Sequence, residues 1–432
     1  MNEPRILEVI GERYGGLAFT SDPAVEVPFV LRKETVEIGG DGALLRVLEP
    51  AVERVLPQCP HFGPCGGCQY QMIETHQQGD VKRRILVDQL QVLDVELPAE
   101  IPAHTAHGYG YRNRIRLRCE RVAGELRVGY NERGTTNFLP IMTCPIAAPV
   151  LWSTAEALLA AANENYDTGL WMQATSEVEL FCNHDLTQVQ VTLLCAPRSK
   201  ATQGSIARSL AAVQQRAPQV VGLAAIASDP RTGPTGRMLD AAGAPGLAYT
   251  VGDETYWISR GSFFQVNRFL LEPLVKLVCN KDGAPRAGTL AWDLYAGVGL
   301  FSRLLARAFA RVVAVEANPI AGLDNRNALR RSSAAHEVRT LTTLEFLRAA
   351  AVQRERPELI VLDPPRAGAG VDACELLLRM GAPEIVYVSC DPVTLARDVA
   401  VLQRGYRITS LQVVDLFPQT FHLETVVVLE AR

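Results

Sequence analysis

From about residue 288 onward the chain repeats one plan, a short apolar run followed by a segment of helical length, and no other feature narrows its fold so far. The runs cover residues 290–295, 312–317, 359–363 and 385–389. Strands this apolar are buried on both faces, and the helical spacers supply the cover, so the pattern predicts a doubly wound parallel sheet. Two longer strand patterns, 406–417 and 425–430, follow with a short loop between them and predict a closing antiparallel hairpin.

The rest of the chain reads differently. Residues 1–57 break into short strand-like runs at 5–10, 14–19, 25–31, 35–38 and 43–48, punctuated by Gly and Pro, which predicts a small barrel. A cysteine-rich loop follows at 59–68, then a helical pattern at 82–93. The middle, about 105–260, mixes strands with one alanine-rich helix near 151–163. Apolar residues make up 48% of the chain, yet no uninterrupted run approaches the roughly 20 residues needed to cross a bilayer. The opening Met1-Asn2-Glu3-Pro4-Arg5 lacks the basic-then-apolar plan of a secretory signal, so the expectation is a cytoplasmic protein without membrane contact. Net charge is −4, which does not announce a nucleic-acid binder; any such contact must be local.

Asp293-Leu-Tyr-Ala-Gly297-Val-Gly299 closes the first apolar strand and opens a helix. Glycines there let the backbone approach a ligand, and an acid at a strand's carboxyl end can hold polar groups. Glu316 ends the second strand, nineteen residues after Gly297, where a carboxylate can accept hydrogen bonds from ribose hydroxyls. A dinucleotide fold wants a glycine-rich turn facing a pyrophosphate, but Tyr295 stands in the place of its first glycine. The expected ligand is therefore S-adenosylmethionine, which carries no phosphate, and the terminal hairpin favours the same choice. A later strand runs into Asp363-Pro364-Pro365-Arg366. Its prolines fix φ and remove donors, freezing a loop that can aim Asp363 at a substrate.

The next strand ends in Cys390, and Asp391-Pro392 starts a helix with proline in its first turn. A thiol at a helix start feels the positive end of the macrodipole, which favours thiolate, while the Asp391 carboxylate opposes it. Cys390 is the candidate nucleophile. Carbon 5 of uracil is a poor nucleophile, but thiolate addition at carbon 6 creates an enolate able to attack a sulfonium methyl. A base must then take the carbon 5 proton. Glu424, in Gln419-Thr-Phe-His-Leu-Glu424-Thr at the start of the last strand, is the candidate, and His422 is its rival.

There are ten cysteines, which in a reducing compartment point toward metal, cluster or catalytic thiols more than disulfides. Cys182, Cys195 and Cys279 lie among apolar neighbours and receive no role. Cys59, Cys65 and Cys68 fall within ten residues in a Gly/Pro-rich loop, and Cys144 offers a fourth ligand. Four thiolates suit either zinc or an iron–sulfur cluster, and spacing does not separate the two.

Taken together, these cysteines, Ser262-Phe-Phe-Gln-Val-Asn267, Asp293-Leu-Tyr-Ala-Gly-Val-Gly, Leu362-Asp-Pro-Pro-Arg, Val388-Ser-Cys-Asp-Pro and His422-Leu-Glu-Thr closely resemble the RNA uracil-5-methyltransferases, especially their iron–sulfur-containing 23S rRNA branch. The resemblance spans nearly the whole chain. It implies an α/β plus β architecture: an N-terminal RNA-binding TRAM (OB-like) β-barrel over 1–57, a central α+β domain over 58–255, and a Rossmann-like S-adenosylmethionine methyltransferase domain over 256–432. It further implies a [4Fe-4S] cluster on Cys59, Cys65, Cys68 and Cys144. By position, Gln265, Tyr295, Glu316 and Asp363 would contact S-adenosylmethionine beside Gly297, with Cys390 as nucleophile and Glu424 as base. One departure is Leu31-Arg-Lys-Glu34, where the family's barrel often reads Leu-Pro-Gly-Glu.

Arg112, Arg114, Arg116 and Arg118 alternate along one strand pattern, which puts all four on one face. Such a row either contacts RNA phosphates and bases or forms a solvated, salt-bridged surface. The expected activity is methylation of carbon 5 of a uridine in 23S rRNA by a monomer. The alternatives are a tRNA uridine-5-methyltransferase and a noncatalytic RNA-binding or chaperone protein, the latter disfavoured because a binding module has no need of a thiol and a carboxylate at one rim.

Overall fold

A computed structural model describes residues 3–93, 95–195, 205–227 and 236–432. The chain forms two compact units, one of Met1–Gly63, Cys68–Gly108 and Leu270–Arg432, the other of Pro64–Gly67 and Tyr109–Phe269.

The first unit holds two large sheets and a short two-stranded one at Asn280–Lys281 and Ala284–Pro285. The smaller of the large pair is antiparallel, with strands β1 (Arg5–Arg13), β2 (Leu17–Thr20), β3 (Glu26–Pro28), β4 (Thr35–Ile38) and β5 (Leu44–Glu49) in the order β3-β2-β1-β4-β5. β1 serves two ladders: Arg5 to Glu8 pair with β4, and Val9 to Arg13 pair with β2, with the register shifting between Val9 and Gly11. An extra residue at such a point bends a strand. The bend wraps the sheet around Val9, Ala18, Val27, Val36 and Ile38. In the departing Leu31–Glu34 turn, the buried Glu34 carboxylate accepts the Leu31 amide at 2.8 Å and the Arg54 guanidinium at 2.5 and 2.7 Å, so that acid has a structural task.

Helix α1 (Thr75–Gln91) begins seven residues before the 82–93 pattern. Before residue 82 it buries Gln78, Gly79 and Val81, with a single apolar side chain that sets no period to read. Its second half supplies Leu86 and Leu90 to the core of the large sheet.

That sheet contains β6 (Ala103–His104), β7 (Gly288–Leu294), β8 (Phe309–Val315), β9 (Ala335–Arg339), β10 (Leu359–Leu362), β11 (Glu384–Ser389), β12 (Tyr406–Val414) and β13 (Glu424–Ala431). Its order is β9-β8-β7-β10-β11-β13-β12-β6. The first five in that order run parallel, and β13 lies antiparallel between β11 and β12. The predicted hairpin is therefore present. β9 escaped the sequence reading because this edge strand buries only Val338 and otherwise reads as polar. Trp292, Val313, Ile360, Leu362, Ile385 and Tyr387 form the sheet's packed face, each buried aliphatic side chain contributing about 1.5–3 kcal/mol. Winding runs outward through β7, β8 and β9, then returns to β10 and β11, so the strand order reverses between β7 and β10. Ligands of such sheets bind at the carboxyl ends beside that reversal.

The second unit is built on a seven-stranded mixed sheet in the order Met238–Gly243, Val220–Ala227, Val189–Cys195, Thr175–Cys182, Arg114–Val122, Glu125–Asn131, Phe138–Pro140. The alanine-rich helix is found at Pro149–Glu164 and packs Leu151, Ala155 and Leu158 into this unit's core. Among the described residues no helix is long and apolar enough to cross a membrane.

Candidate active site

The carboxyl edge of the large sheet collects the first unit's predicted residues. β7 ends beside the turn Tyr295-Ala-Gly297-Val-Gly299, in which Tyr295 has φ +60°, Gly297 +53° and Gly299 +92°. A left-handed tyrosine is uncommon and marks a constrained turn. Gly297 has no heavy atom within 4 Å of where a Cβ would stand, whereas a Cβ at Gly299 would meet the Asn325 amide oxygen at 2.4 Å. One glycine thus keeps the backbone approachable, and the other admits a neighbouring helix. Glu316 follows β8 and braces the turn: its carboxylate accepts the Gly297 amide at 2.8 Å and the Asn318 amide at 2.6 Å. Asp293 is fully buried, accepts from the Ser302 hydroxyl through Oδ2, and has no partner for Oδ1 among the described residues. Burial pushes its carboxyl up to about 7. An approachable glycine turn, two acids and a spare buried acceptor suit a ligand rich in hydroxyl and amino donors, such as the nucleoside of S-adenosylmethionine.

On the other side of the reversal, Asp363 follows β10, Cys390 follows β11 and Glu424 opens β13. Ser389 pairs with Thr425 across the antiparallel β11–β13 ladder, so Cys390 and Glu424 are the next facing step, on strands about 4.8 Å apart. Glu424 is buried, and its Oε1 has no hydrogen-bond partner among the described residues. Burial, then the Asp363 charge, push its carboxyl well above the usual carboxylate range. The half-buried Cys390 thiol is pushed up to about 12 by burial first, then by Glu424 and Asp363, while the Arg366 guanidinium pulls it down and Asp391 adds a further push upward. The expected thiolate-favouring pull of the helix start is thus outweighed in the protein alone. Burial and neighbouring carboxylates favour the protonated forms of both Cys390 and Glu424.

Two networks fix these groups. Asp391 caps the helix α2 (Pro392–Leu402), its Oδ1 accepting the Val393 and Thr394 amides at 3.0 Å each, and its own carbonyl accepts the Ser389 hydroxyl at 3.0 Å. Asp398 on α2 is buried and accepts the Ala369 amide at 2.8 Å and the Tyr387 hydroxyl at 2.7 Å, holding the loop that leaves Asp363-Pro-Pro-Arg. The segment before Glu424 is tied to α1. Lys82 donates to Asp415 at 2.5 Å and to the Phe417 carbonyl at 2.9 Å, and Gln78 exchanges hydrogen bonds with Gln419 at 2.6 and 3.0 Å. His422, the rival base, is half-buried and takes a 3.0 Å contact from Arg366, which places it beside an exposed cation. In the sequence Asp391 shows only as the start of a Pro-led helix and Arg366 only as the end of the Asp-Pro-Pro-Arg motif, while Asp398, Lys82 and Asp415 carry no signal beyond their charge.

In the second unit, Gln265 is buried, and its carbonyl accepts the Asn113 amide at 3.0 Å. Arg114, Arg116 and Arg118 lie on one face of the strand Arg114–Val122, alternating with buried Ile115, Leu117 and Cys119, whereas Arg112 precedes the strand and its Nε donates to the Arg114 carbonyl at 3.3 Å. Those arginines are engaged: Arg116 pairs with Glu179 at 3.1 Å, Arg118 with Glu120, and Arg114 stacks over Phe181 with 4.2 Å to the ring centre. That is the salt-bridged surface, not an open row of cations.

The ten thiols sort by exposure. Cys119, Cys182, Cys195, Cys279 and Cys374 are buried, while Cys59, Cys65, Cys68, Cys144 and Cys390 are half-buried. Cys59 and Cys68 belong to the first unit, Cys65 and Cys144 to the second. The donor chemistry fits a thiolate-bound metal or cluster, but among the described residues no three His, Cys, Asp or Glu side chains gather as a metal group.

Residues 249–432 match the family model described as tRNA (uracil-5-)-methyltransferase. Over 89% of this chain and 88% of the relative, the sequence is 31% identical to a 23S rRNA (uracil(1939)-C(5))-methyltransferase of Aromatoleum aromaticum. It is 29% identical to the protein of that same description from Dechloromonas aromatica, over 98% of each chain. Among solved structures, the tRNA (uracil-54, C5)-methyltransferase of Pyrococcus abyssi in complex with S-adenosyl-L-homocysteine has a similar fold, with a TM-score of 0.72, 22% identity and coverage of 98% of this chain and 99% of that one.

Proposed function

Because the chain belongs to the RNA uracil-5-methyltransferase family, we propose that it acts as a cytoplasmic monomer that methylates carbon 5 of a uridine in 23S rRNA, with Cys390 adding to carbon 6 and Glu424 taking the carbon 5 proton. The observation that carries this reading is the β11–β13 register, which sets the thiol and the buried carboxyl at facing positions. S-adenosylmethionine supplies an electrophilic methyl group on a positively charged sulfur; Tyr295, Gly297, Glu316, Asp363 and Gln265 are the residues assigned to hold it. The thiol first gives its proton to solvent water, and as Sγ bonds carbon 6 the 5,6 electron pair shifts toward carbon 4 and charge moves onto O4. That pair returns through carbon 5, which bonds the methyl carbon as the methyl–sulfur bond breaks and its electron pair stays on the sulfur, leaving S-adenosylhomocysteine. Glu424 then removes the carbon 5 proton, and the released pair restores the double bond as Sγ departs. The raised carboxyl of Glu424 makes it a stronger proton acceptor once ionised.

The N-terminal sheet over 1–57 is assigned as the RNA-binding TRAM barrel, 58–255 as the central cysteine-bearing part, and 256–432 as the methyltransferase domain. Cys59, Cys65, Cys68 and Cys144 are assigned a [4Fe-4S] cluster on the chemistry of four thiolate donors and the resemblance to the iron–sulfur branch of the family; no step of the chemistry is routed through it. Iron and acid-labile sulfide in anaerobically purified protein test this assignment, and stoichiometric zinc with neither overturns it.

The test of the chemistry is a 23S rRNA fragment containing 5-fluorouridine, incubated with S-adenosylmethionine. Fluorine does not leave as a proton, so an adduct that survives denaturation is expected, absent in Cys390→Ala. Methylation of ordinary RNA at normal speed by Cys390→Ala overturns the reading. A tRNA uridine is the second reading, favoured by the family model's own description, and methyl transfer to tRNA but not to 23S rRNA decides for it.

A further inference from the structure

The turn between β1 and β2 reaches the nucleophile. Tyr14 sits in it, half-buried, and its hydroxyl donates to Asp391 Oδ2 at 3.1 Å, directly beside Cys390 in sequence. The Tyr14 ring meets Phe421 edge-on with centroids 5.3 Å apart, three residues before Glu424. One side chain from the N-terminal sheet therefore touches both the nucleophile turn and the segment carrying the base. The turn is built to put it there. Gly15 and Gly16 follow at φ +103° and +81°, and a Cβ on Gly16 would lie 2.7 Å from the Gln69 side chain and 3.5 Å from Phe421 Cβ. Only glycine accepts both that conformation and that contact. Behind the turn, Leu31, Tyr70, Met72, Val81, Ile85 and Leu423 form one apolar cluster against which Tyr14 and Phe421 pack, so the small sheet is seated on α1 and on the base segment within one compact unit.

Asp391 has divided duties. Oδ1 is spent on the amides that start α2, and Oδ2 takes the Tyr14 hydroxyl. A hydroxyl donated to a carboxylate draws charge away from it. Burial and the Asp391 charge hold the Tyr14 phenol above its ordinary value, so it remains a donor across the working pH range. The charged groups acting on Cys390 are Glu424, Asp363 and Asp391, which disfavour its thiolate, and Arg366, which favours it. Relieving part of the Asp391 charge acts in the same sense as Arg366.

We propose that Tyr14 is a positioning residue for Cys390: the N-terminal sheet holds Asp391 through it, orients the Ser389-Cys-Asp turn and tempers the carboxylate beside the thiol. The assignment rests on Cys390 being the nucleophile, but its test does not need RNA. Cys390 alkylation by iodoacetamide, followed by peptide mass spectrometry across pH 7 to 10, reads the thiol in the full protein. Tyr14→Phe keeps the ring on Phe421 and removes only the hydroxyl. The expectation is alkylation slowed about threefold to tenfold at each pH, the profile displaced to higher pH, as losing one hydrogen bond to a charged group implies. On unmethylated substrate RNA, kcat for methyl transfer should fall by a similar factor with KM for RNA unchanged. In an Asp391→Asn background, which retains the helix cap but not the charge, Tyr14→Phe should lose its effect on alkylation. Alkylation within twofold of the parent, or equal slowing in both backgrounds, overturns the proposal. If the parent methylates no RNA, alkylation still decides the question, so the two failures are told apart.

Discussion

The turn carrying Cys390 and the segment carrying Glu424 face each other across one pair of strands, yet they are held in opposite ways. The nucleophile turn is largely self-contained: Ser389, Asp391, Val393 and Thr394 bond one another within six residues. The base segment, Asp415 to Leu423, is held from a distance by Lys82, Gln78 and Gln69, whose partners lie more than 330 residues away in sequence. A local turn can be read from a motif and tolerates change elsewhere. A segment held by long-range polar contacts fails all at once when one distant partner is removed.

That contrast is tested most severely at Lys82. Its ammonium and the Asp415 carboxylate are both essentially excluded from solvent, with side-chain exposures of 0% and 1%. Burial pulls the ammonium down and pushes the carboxyl up, while the pairing opposes both shifts. Removing one member leaves the other charge buried and unpaired, so Lys82→Met should lower unfolding stability by about 3–5 kcal/mol in urea titrations. Lys82→Met combined with Asp415→Leu should recover most of that loss. A single mutant as stable as the parent would mean that the base segment does not depend on this pair.

The next effect concerns the thiol itself. Because Cys390 is pushed up to about 12, its thiolate fraction should grow tenfold per pH unit, and alkylation should accelerate about 100-fold between pH 7 and 9 without levelling off. A plateau near neutrality would show that the helix start wins over burial and the surrounding carboxylates, making the nucleophile turn even more autonomous. A smaller loss is expected at Gln78, whose amide nitrogen donates to the Tyr70 and Ile73 carbonyls at 3.2 and 3.0 Å, and whose oxygen accepts the Gln419 amide. Gln78→Ala strands buried backbone groups and should cost about 1–3 kcal/mol. With Lys82→Met it should combine less than additively, since both mutations release one segment.

The same contrast explains what was legible in the sequence. Apolar strands with helical spacers gave away the large sheet, and every catalytic assignment in it lies at a strand end, where a motif of four or five residues is contiguous. β9 stayed hidden because an edge strand with one buried side chain has no pattern to show. The start of α1 stayed hidden because the residues it buries before position 82 are Gln78, Gly79 and Val81, and Gln78 buries polar atoms to reach partners that only the fold brings near. Tyr14 was visible as a residue of a strand-like run; nothing in Tyr-Gly-Gly says which carboxylate its hydroxyl will meet. Arg114, Arg116 and Arg118 share a face as their spacing implies, while Arg112 falls before the strand; the acidic partners Glu177 and Glu179 sit on a neighbouring strand about 60 residues later, so spacing alone left RNA contact and a salt-bridged surface both open.

The smallest effect should come from the most local contact. Asp391 caps α2 through one carboxylate oxygen that takes two amides, and Ala cannot replace it. Losing such a cap costs typically about 1 kcal/mol, because the freed amides at a helix start can turn to water. Asp391→Ala should therefore shift the urea midpoint modestly, and Asp391→Asn, an equally good cap, should restore it to within a few tenths of a kcal/mol. Neither substitution should alter how the base segment responds to Lys82→Met, since Asp391 and Lys82 bond different residues, although Arg366, whose carbonyl accepts the Thr394 hydroxyl at 3.0 Å and whose guanidinium contacts His422 at 3.0 Å, adjoins both regions. Strong coupling between Asp391→Ala and Lys82→Met in a double-mutant cycle would show instead that nucleophile turn and base segment are stabilised as one body, with Tyr14, which touches both, as the contact through which they communicate.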